Sequence, residues 1–429
     1  MNTITKSLLT LIVALTVFGF TPTKPTKKVA KLPTADADNG GIKLPKDFGA
    51  VVVSNDAGKA RHLAVNANGD VYVRLRTLKN GKGMAVLKDK NGDGKADEST
   101  YFGDFAGTGI AFANGYLYAT SNTEVYRYKL NNGQPDEASK QTIVKGLPEQ
   151  RQHETKSIAL DEAGNIYVAI GAPSNVCQVE DRKKGSPGQD PCPILELYGG
   201  VWQFKADKLN QTQADGIRYA TGIRNIVGLD WNKQNNELYA MQHGRDMFAD
   251  YFPELYPLPE GDNLPSEEFL MVKKGSDFGW PYCYFDHIQN KKLLNPEYGG
   301  DTKTAGRCEG KDRPVMGFPG HWAPNALLFY TGSQFPARYK NGAFICFHGS
   351  WNRSSKNQGG YNIAFVPMGT DGKPSGKHEI FASDFAAMEF PSPGAAKSRP
   401  MGLAQGPDGS LYVSDSQKGK VWRVMYYGK

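Results

Sequence analysis

Gln150-Arg-Gln-His153-Glu-Thr-Lys-Ser-Ile-Ala-Leu160, continued by Asp161-Glu-Ala-Gly-Asn-Ile-Tyr-Val-Ala-Ile-Gly171, is one copy of a unit that recurs along the chain. A polar or charged residue opens the unit; a short apolar strand, a Gly-containing turn and a second apolar strand follow. The other copies run from Ala60 to Val73, from Gly107 to Ala119 with a further strand Glu124–Leu130, from Ile223 to Gly244, from Trp322 to Ser350, and from Arg399 to Asp415, the last closed by Lys420–Val424. The first three are spaced by about 45–50 residues, the period of a propeller blade. Two insertions, Cys177–Pro193 and Asp250–Asp312, lengthen the later gaps. Each unit alternates apolar and polar residues, as half-buried antiparallel strands do. A single unit cannot bury its apolar faces, and stacking around a ring solves that problem. Six units therefore predict an all-β fold, a six-bladed β-propeller, with a pair of β-sandwiches as the competing architecture.

The chain of 429 residues is long enough for one closed β architecture of this size. Its 49 glycines, 21 tyrosines and 21 phenylalanines, with few helical patterns, suit many short strands and tight turns. The formal net charge is +7, but the lysines are spread out rather than clustered, so no nucleic-acid role is indicated. Lys6 precedes the apolar run Ser7–Phe20, which has the length of a signal-peptide core and is short for a membrane span. The expected organisation is a signal peptide over 1–22, a disordered leader over 23–43 and the propeller over 44–429. This implies a periplasmic or secreted protein with no stable membrane span in the mature chain, an uncleaved anchor being the alternative. In an exported protein Cys177 with Cys192, and Cys283 with Cys308, would each close a loop, leaving Cys346 buried and free. Neither a Cys-x-x-Cys pair nor a c-type haem motif is present.

Between the first two units lies Asp89-Lys-Asn91-Gly-Asp93-Gly-Lys-Ala-Asp97. Oxygen-bearing side chains at alternating positions around a glycine turn suit a structural Ca²⁺, although a plain Asn-Gly/Asp-Gly turn has the same look.

Equivalent positions of the units converge on the mouth of the central channel. That position reads Arg61, Thr108, His153, Arg224 with Asn225, Trp322–Asn325 and Arg399. Three arginines and a histidine are thus expected around one small cavity. Guanidinium forks call for a ligand with several carboxylates or phosphates, and His153 beside it is a candidate general base.

These residues carry a family resemblance. Arg-Gln-His153-Glu, Arg224-Asn225, His243-Gly244-Arg245-Asp246, Gly279-Trp-Pro-Tyr-Cys-Tyr, His348-Gly-Ser-Trp-Asn-Arg353 and Arg399-Pro-Met-Gly resemble the soluble quinoprotein sugar dehydrogenases, which depend on pyrroloquinoline quinone (PQQ). The resemblance spans Lys46 to Tyr426. It implies a propeller holding PQQ and Ca²⁺ in a cleft at its top, and a sugar substrate oxidised at C1. His153 matches the base that takes the anomeric proton; Arg224 and Asn225 match quinone contacts; Gly244 and Arg245 match the residues whose backbone carbonyls hold the Ca²⁺. Arg399 matches a cofactor-carboxylate partner, while Arg61, His348, Trp351 and Arg353 look like cofactor neighbours of the sorbosone and pyranose branch. Electrons would pass to a separate acceptor, a cytochrome or quinone carrier. The chain departs from the glucose branch at Gln152, where that branch has an acid. It departs again at Gly171-Ala172, where that branch has an aspartate orienting the histidine and where Glu154 is the substitute at hand. The competing functions are a calcium-dependent lactonase on the same fold and a non-catalytic propeller binding a glycan or a protein.

Overall fold

The computed structural model describes residues 32–354, 356–389 and 391–428. The expected signal peptide, and the leader up to residue 31, lie outside them. The ring is made of six sheets, antiparallel except where Ile217–Thr221 pairs parallel with Ser276–Asp277 at the edge of blade three, each contributing its innermost strand to the channel. Blade one is Ala60–Val65, Val71–Lys79, Lys82–Lys88 and Glu98–Phe102. The innermost strands of the next blades are Ile110–Ala113, Ile158–Leu160, Ile226–Asn232, Pro324–Phe329 and Pro400–Gln405. Each innermost strand neighbours the next, and the last neighbours the first. The six-bladed propeller read from the repeats is the fold of the chain.

Blade six takes its outer strand from the other end of the chain. Phe48–Ser54 pairs antiparallel with Val421–Tyr426, with Phe48 opposite Tyr426 and Val52 opposite Trp422. This pairing ties the two ends of the propeller together by main-chain hydrogen bonds, and each blade keeps one short outer edge.

Six apolar clusters fill the seams between blades, and three smaller ones lie outside the seams. One joins blades five and six through Phe344, Phe365 and Phe381 against Leu411, Val413 and Trp422. Another joins blades three and four through Tyr167, Val201 and Tyr219 against Trp231, Leu238 and Leu270. The remaining seams repeat the arrangement. The expected alternation gives way to a gradient of burial across the blade. Glu98–Phe102, an outer strand, has no buried residue. Ala343–Phe347 and Leu411–Asp415, in middle positions, are buried throughout because each blade is covered on both faces.

The expected leader ends earlier than 43. Asp36 donates its N–H to the Ala50 carbonyl and accepts from Val52 N, and Ile42 lies in the core between blades five and six. Backbone pairing and apolar burial order this stretch despite its polar composition. Disulfides join Cys177 to Cys192 and Cys283 to Cys308, and Cys346 is buried and free. The second insertion carries a hairpin of its own, Cys283–Asp286 with Lys291–Leu294, packed on the short helix Phe248–Tyr251. No helix among the described residues is long and apolar enough to cross a membrane.

Ring closure rests on Trp422, which is 1% exposed and donates Nε1–H to the Gly40 carbonyl. Trp422→Ala is expected to cost about 3–5 kcal/mol, read as a lowered denaturant midpoint in equilibrium unfolding.

Candidate active site

His153 stands just ahead of the innermost strand of blade three, in the left-handed backbone region at φ 53°. Two neighbours hold that turn. Gln150 Nε2 lies 2.7, 2.8 and 3.0 Å from the carbonyl oxygens of Gln152, Gly171 and His153. Gly171 permits the close approach: a Cβ there would lie 2.7 Å from His153 Cβ. His153 Nδ1 is 2.5 Å from the Ala172 carbonyl oxygen. Only an Nδ1–H can make that contact, which leaves the Nε2 lone pair unprotonated. The Ala172 carbonyl therefore fixes the tautomer and direction of the ring. Glu154 does not substitute; its carboxylate lies 3.9 Å from Arg76, on the far side of the turn. Burial, then the charge of Arg224, hold the His153 imidazole down at about 3, so it is neutral at physiological pH.

Arg224 is buried and committed to protein acceptors. Its Nε donates to the Asn175 carbonyl, its Nη1 to the Gly244 carbonyl at 2.9 Å, and its Nη2 to Asn175 Oδ1 and to Asp246 Oδ2 at 2.7 Å. Asp246 is the hub. The same Oδ2 accepts Arg182 Nη2 at 2.8 Å, and Oδ1 accepts Asn352 Nδ2 at 2.8 Å. Burial alone would raise the Asp246 carboxyl, but Arg224 and Arg182 outweigh it and hold the group well below the usual carboxylate range. Glu267 is the contrasting case. Buried, and hydrogen-bonded only to the N–H groups of Ala323 and Gly244, it is pushed up to about 8 by desolvation.

His153, Arg224, Asn225, Gly244 and Trp351 line one cavity of about 240 Å³ at the channel mouth. Arg61 and Arg399 do not line it, contrary to the expectation of three arginines on one cavity. Arg61 Nη1 lies 3.6 Å from Met401 Sδ, and Arg399 donates to the carbonyls of His348 and Gly349. His348 Nε2 is 2.7 Å from Ser416 Oγ. These three form a neighbouring cluster: burial, then Arg399 and Arg61, hold His348 well below its ordinary range. Arg353 is spent on structure, donating to the carbonyls of Asn357, Asp262 and Gly320. Arg245 buries its side chain against Glu297 at 2.5 Å. In the 89–97 loop the oxygens turn onto the loop itself: Asp89 accepts Gly92 N and Gly94 N, and Asp97 accepts Lys90 N, Asn91 N and Asn91 Nδ2. Asn91 Oδ1 and Asp93 Oδ1 likewise accept amides two residues on. No group of three or more His, Cys, Asp or Glu among the described residues is placed to hold a metal ion.

The cavity also presents Arg182, Asp246, Glu267, His243, His321 and Asn352, none of which the repeat positions pointed to. Arg182 comes from the first insertion, where no periodicity marks it. His243 and Asp246 lie in a quoted motif run, yet only their convergence with Arg182 shows their place. A larger cavity of about 440 Å³ lies at the other end of the channel, among the last residues of the innermost strands. Of its carboxylates, Asp161 is held by Asn165 and Tyr167, Asp230 accepts the amides of Trp231 and of Phe329 in blade five, and Glu162 pairs with Lys233.

A six-bladed propeller with an oriented histidine and paired guanidiniums at the channel mouth is the architecture expected of the soluble quinoprotein sugar dehydrogenases. The chain belongs to the TrAA12-like family, whose model matches residues 42–427. The resemblance drawn from the motifs is thus borne out at the level of family. A protein of Borreliella burgdorferi described as uncharacterised is 25% identical over 398 residues, covering 90% of this chain and 91% of its own. Among solved structures, a calcium structure of Trichoderma reesei Carbohydrate-Active Enzymes Family AA12 shares the fold at TM-score 0.73 and 17% identity, covering 90% of this chain and 97% of its own. The holo form of the pyranose dehydrogenase PQQ domain from Coprinopsis cinerea does so at TM-score 0.71 and 18% identity, over 92% of this chain and 98% of its own. The PQQ-bound aldose sugar dehydrogenase of Streptomyces coelicolor is more distant, at TM-score 0.53 and 15% identity, over 89% and 99%.

The buried histidines set a pH dependence. His62, His153, His243, His321 and His348 are all held below 6.5, chiefly by burial. Between about 4 and 6.5 the unfolded chain protonates them and the native state does not, so stability rises with pH there. Asp230 at about 7, Glu267 at about 8 and the raised Glu268 act in the opposite sense, because the native state keeps their protons. His287 and His378 are lowered as well. Near pH 6.5 the unfolded histidines are only half protonated and the two sets offset each other, whereas below about pH 5.5 the unfolded histidines are almost fully protonated and outnumber the raised carboxyls. Urea unfolding at pH 5.5 and pH 4.5 is expected to show stability falling on acidification.

Proposed function

We propose that the chain is an exported PQQ-dependent dehydrogenase that oxidises an aldose of the sorbosone or pyranose kind at C1. One observation carries the reading: His153 has its Nδ1–H tied to a carbonyl, and its Nε2 has no hydrogen-bond partner among the described residues of a cavity it lines. A neutral imidazole oriented this way accepts the anomeric hydroxyl proton at Nε2 while C1 becomes a carbonyl carbon.

The residues fit the quinone. Asn225 Oδ1 is buried on the cavity wall without a partner, and Arg61 Nε is likewise unpartnered in the neighbouring cluster. Buried polar atoms left unpaired are costly, so a ligand presenting polar edges is the natural complement. When bound there, PQQ supplies the two-electron acceptor for the C1 hydride. Arg224 keeps a positive charge fixed beside the reacting carbon, its geometry locked by Asp246 and Asn175. Arg61, His348 and Arg399 are proposed as carboxylate partners at the side of the cofactor, and Trp351 as its cover at the mouth; Arg353 would act through the loop it braces.

Ca²⁺ belongs to the proposal on a narrower basis. The Gly244 carbonyl accepts from Arg224, whose charge opposes a cation, and the nearby negative charge is Asp246, already shared by two guanidiniums. The Gly244 and Arg245 carbonyls are the proposed ligands, and no step is derived through the ion. A structural ion at Asp89, Asn91, Asp93 and Asp97 would have to win those oxygens from the loop amides.

Titration of the purified apo-protein with PQQ, with and without Ca²⁺, followed by assay on aldoses with a dye acceptor, tests the class. Dye reduction that depends on PQQ is expected; absence of quinone binding would overturn the reading. His153→Ala is expected to bind PQQ nearly as tightly while turnover falls by roughly 10²–10⁴-fold, the worth of a positioned base. Turnover within a few-fold of the parent would remove His153 from that role.

A further inference from the structure

His153 and the carbonyl that orients it are joined a second time, through side chains. Gln152 lines the cavity, yet both ends of its amide are engaged with the loop closed by Cys177–Cys192. Its Nε2 donates to Asp181 Oδ2 at 2.7 Å, and its Oε1 accepts Arg182 Nε at 2.9 Å. Asp181 reaches back to the segment that follows Ala172: its Oδ1 accepts Ser174 Oγ at 2.6 Å and Asn175 N at 2.9 Å. Ala172 is the residue whose carbonyl takes the His153 Nδ1–H. The contacts close a circuit from His153 to Ala172, along the chain to Ser174 and Asn175, across Asp181 to Gln152, and back to His153. Each end of the hydrogen bond that aims the ring is thus tied to the other by a second route.

The circuit is rooted on three sides. Cys177, joined to Cys192, donates its N–H to Ser174 Oγ at 2.9 Å. Arg182 Nη2 holds Asp246 Oδ2 at 2.8 Å, and Asn175 Oδ1 accepts Asp246 N at 2.9 Å. His153, Cys177 and Arg182 all have left-handed backbone, at φ 53°, 55° and 56°. A residue with a side chain keeps that conformation where its surroundings over-determine it, and such residues gather at functional sites. Position 152 also calls for an amide. A carboxylate there would face Asp181, and an apolar side chain would leave both Asp181 and Arg182 one partner short.

We propose that Gln152 is a positioning residue: by bridging Asp181 and Arg182 it fixes where the His153 ring stands against the Ala172 carbonyl, and so aims Nε2 into the cavity. The disulfide-closed loop then serves as a strut for the base. Proton transfer depends steeply on placement, and a displacement of about 1 Å costs roughly a hundredfold in rate. The effect on turnover rests on the dehydrogenase reading. The effect on the ring rests on the circuit alone.

Nitrogen-15 spectra of the apo-protein, labelled at its seven histidines, read the ring without turnover. The His153 signals, identified by their loss in His153→Ala, are expected to show one Nδ1–H tautomer in the parent and a mixture of tautomers in Gln152→Leu. Identical His153 signals in the two would overturn the proposal. On the PQQ-loaded protein with a dye acceptor, Gln152→Leu and Gln152→Glu are each expected to lower kcat by roughly tenfold to a hundredfold, with KM and PQQ affinity within about threefold of the parent. Combining Gln152→Glu with Asp181→Asn exchanges the acid and the amide. The new amide donates to the new carboxylate, which still accepts from Arg182, while the oxygen that takes Ser174 and Asn175 is kept. The double variant is expected to return kcat to within about threefold of the parent. A double variant no better than Gln152→Glu, or single variants that both lose less than about threefold, would overturn the proposal. So would a loss of PQQ affinity of about tenfold or more in Gln152→Leu, which would make the side chain a cofactor ligand. If Gln152→Leu does not fold, Gln152→Glu and the exchange decide by the same spectra and rates. Failure of the parent to bind PQQ would strike the dehydrogenase reading, and the histidine spectra would still decide the placement of the ring.

Discussion

Every feature of the channel mouth depends on the ring being closed, and closure is a pairing between the two ends of the propeller domain. Phe48–Ser54 completes the sixth blade alongside Val421–Tyr426. With those ends tied, each blade packs both faces against its neighbours, and the six seams become one continuous annular core. Apolar burial drives the stacking, but it is the hydrogen-bonded closure that fixes how many blades there are and where their innermost strands begin. The channel residues inherit their positions from that constraint.

Within the mouth, buried charge is handled by sharing. Asp246 neutralises parts of two guanidiniums and orients an amide, so removing it would leave Arg224 to Asn175 and the Gly244 carbonyl, and Arg182 to Gln152 and the more distant Asp181. Burying ions is costly unless geometry and hydrogen bonds compensate, and here a single carboxylate organises three side chains from separate segments. Among the described residues the other fully buried pairs are Arg245 with Glu297 and Lys292 with Glu268, Glu268 also accepting from Gln242.

His153 shows how backbone alone can orient a buried imidazole. The carbonyl oxygen of Ala172 takes the Nδ1–H at 2.5 Å. The arrangement works because Gly171 has no Cβ to hold the turn off and because Gln150 gathers three carbonyls around it. A carbonyl fixes the tautomer as an aspartate would but brings no negative charge, so burial dominates and the imidazole stays neutral.

The repeats determined the architecture. A unit of two apolar strands and a glycine turn, copied six times, has few ways to hide its faces, and the pairing of Cys177 with Cys192 and of Cys283 with Cys308 followed from local order along the chain. His153, Arg224 and Asn225 were legible because matched positions in a ring must converge. The tertiary structure alone decided which charges share a cavity. Arg61 and Arg399 occupy matched positions yet turn toward Met401 and the carbonyls of His348 and Gly349, whereas Arg182 arrives from an insertion with no repeat to announce it. Side-chain direction and loop docking depend on contacts between segments far apart in the chain, and periodicity records only the strands.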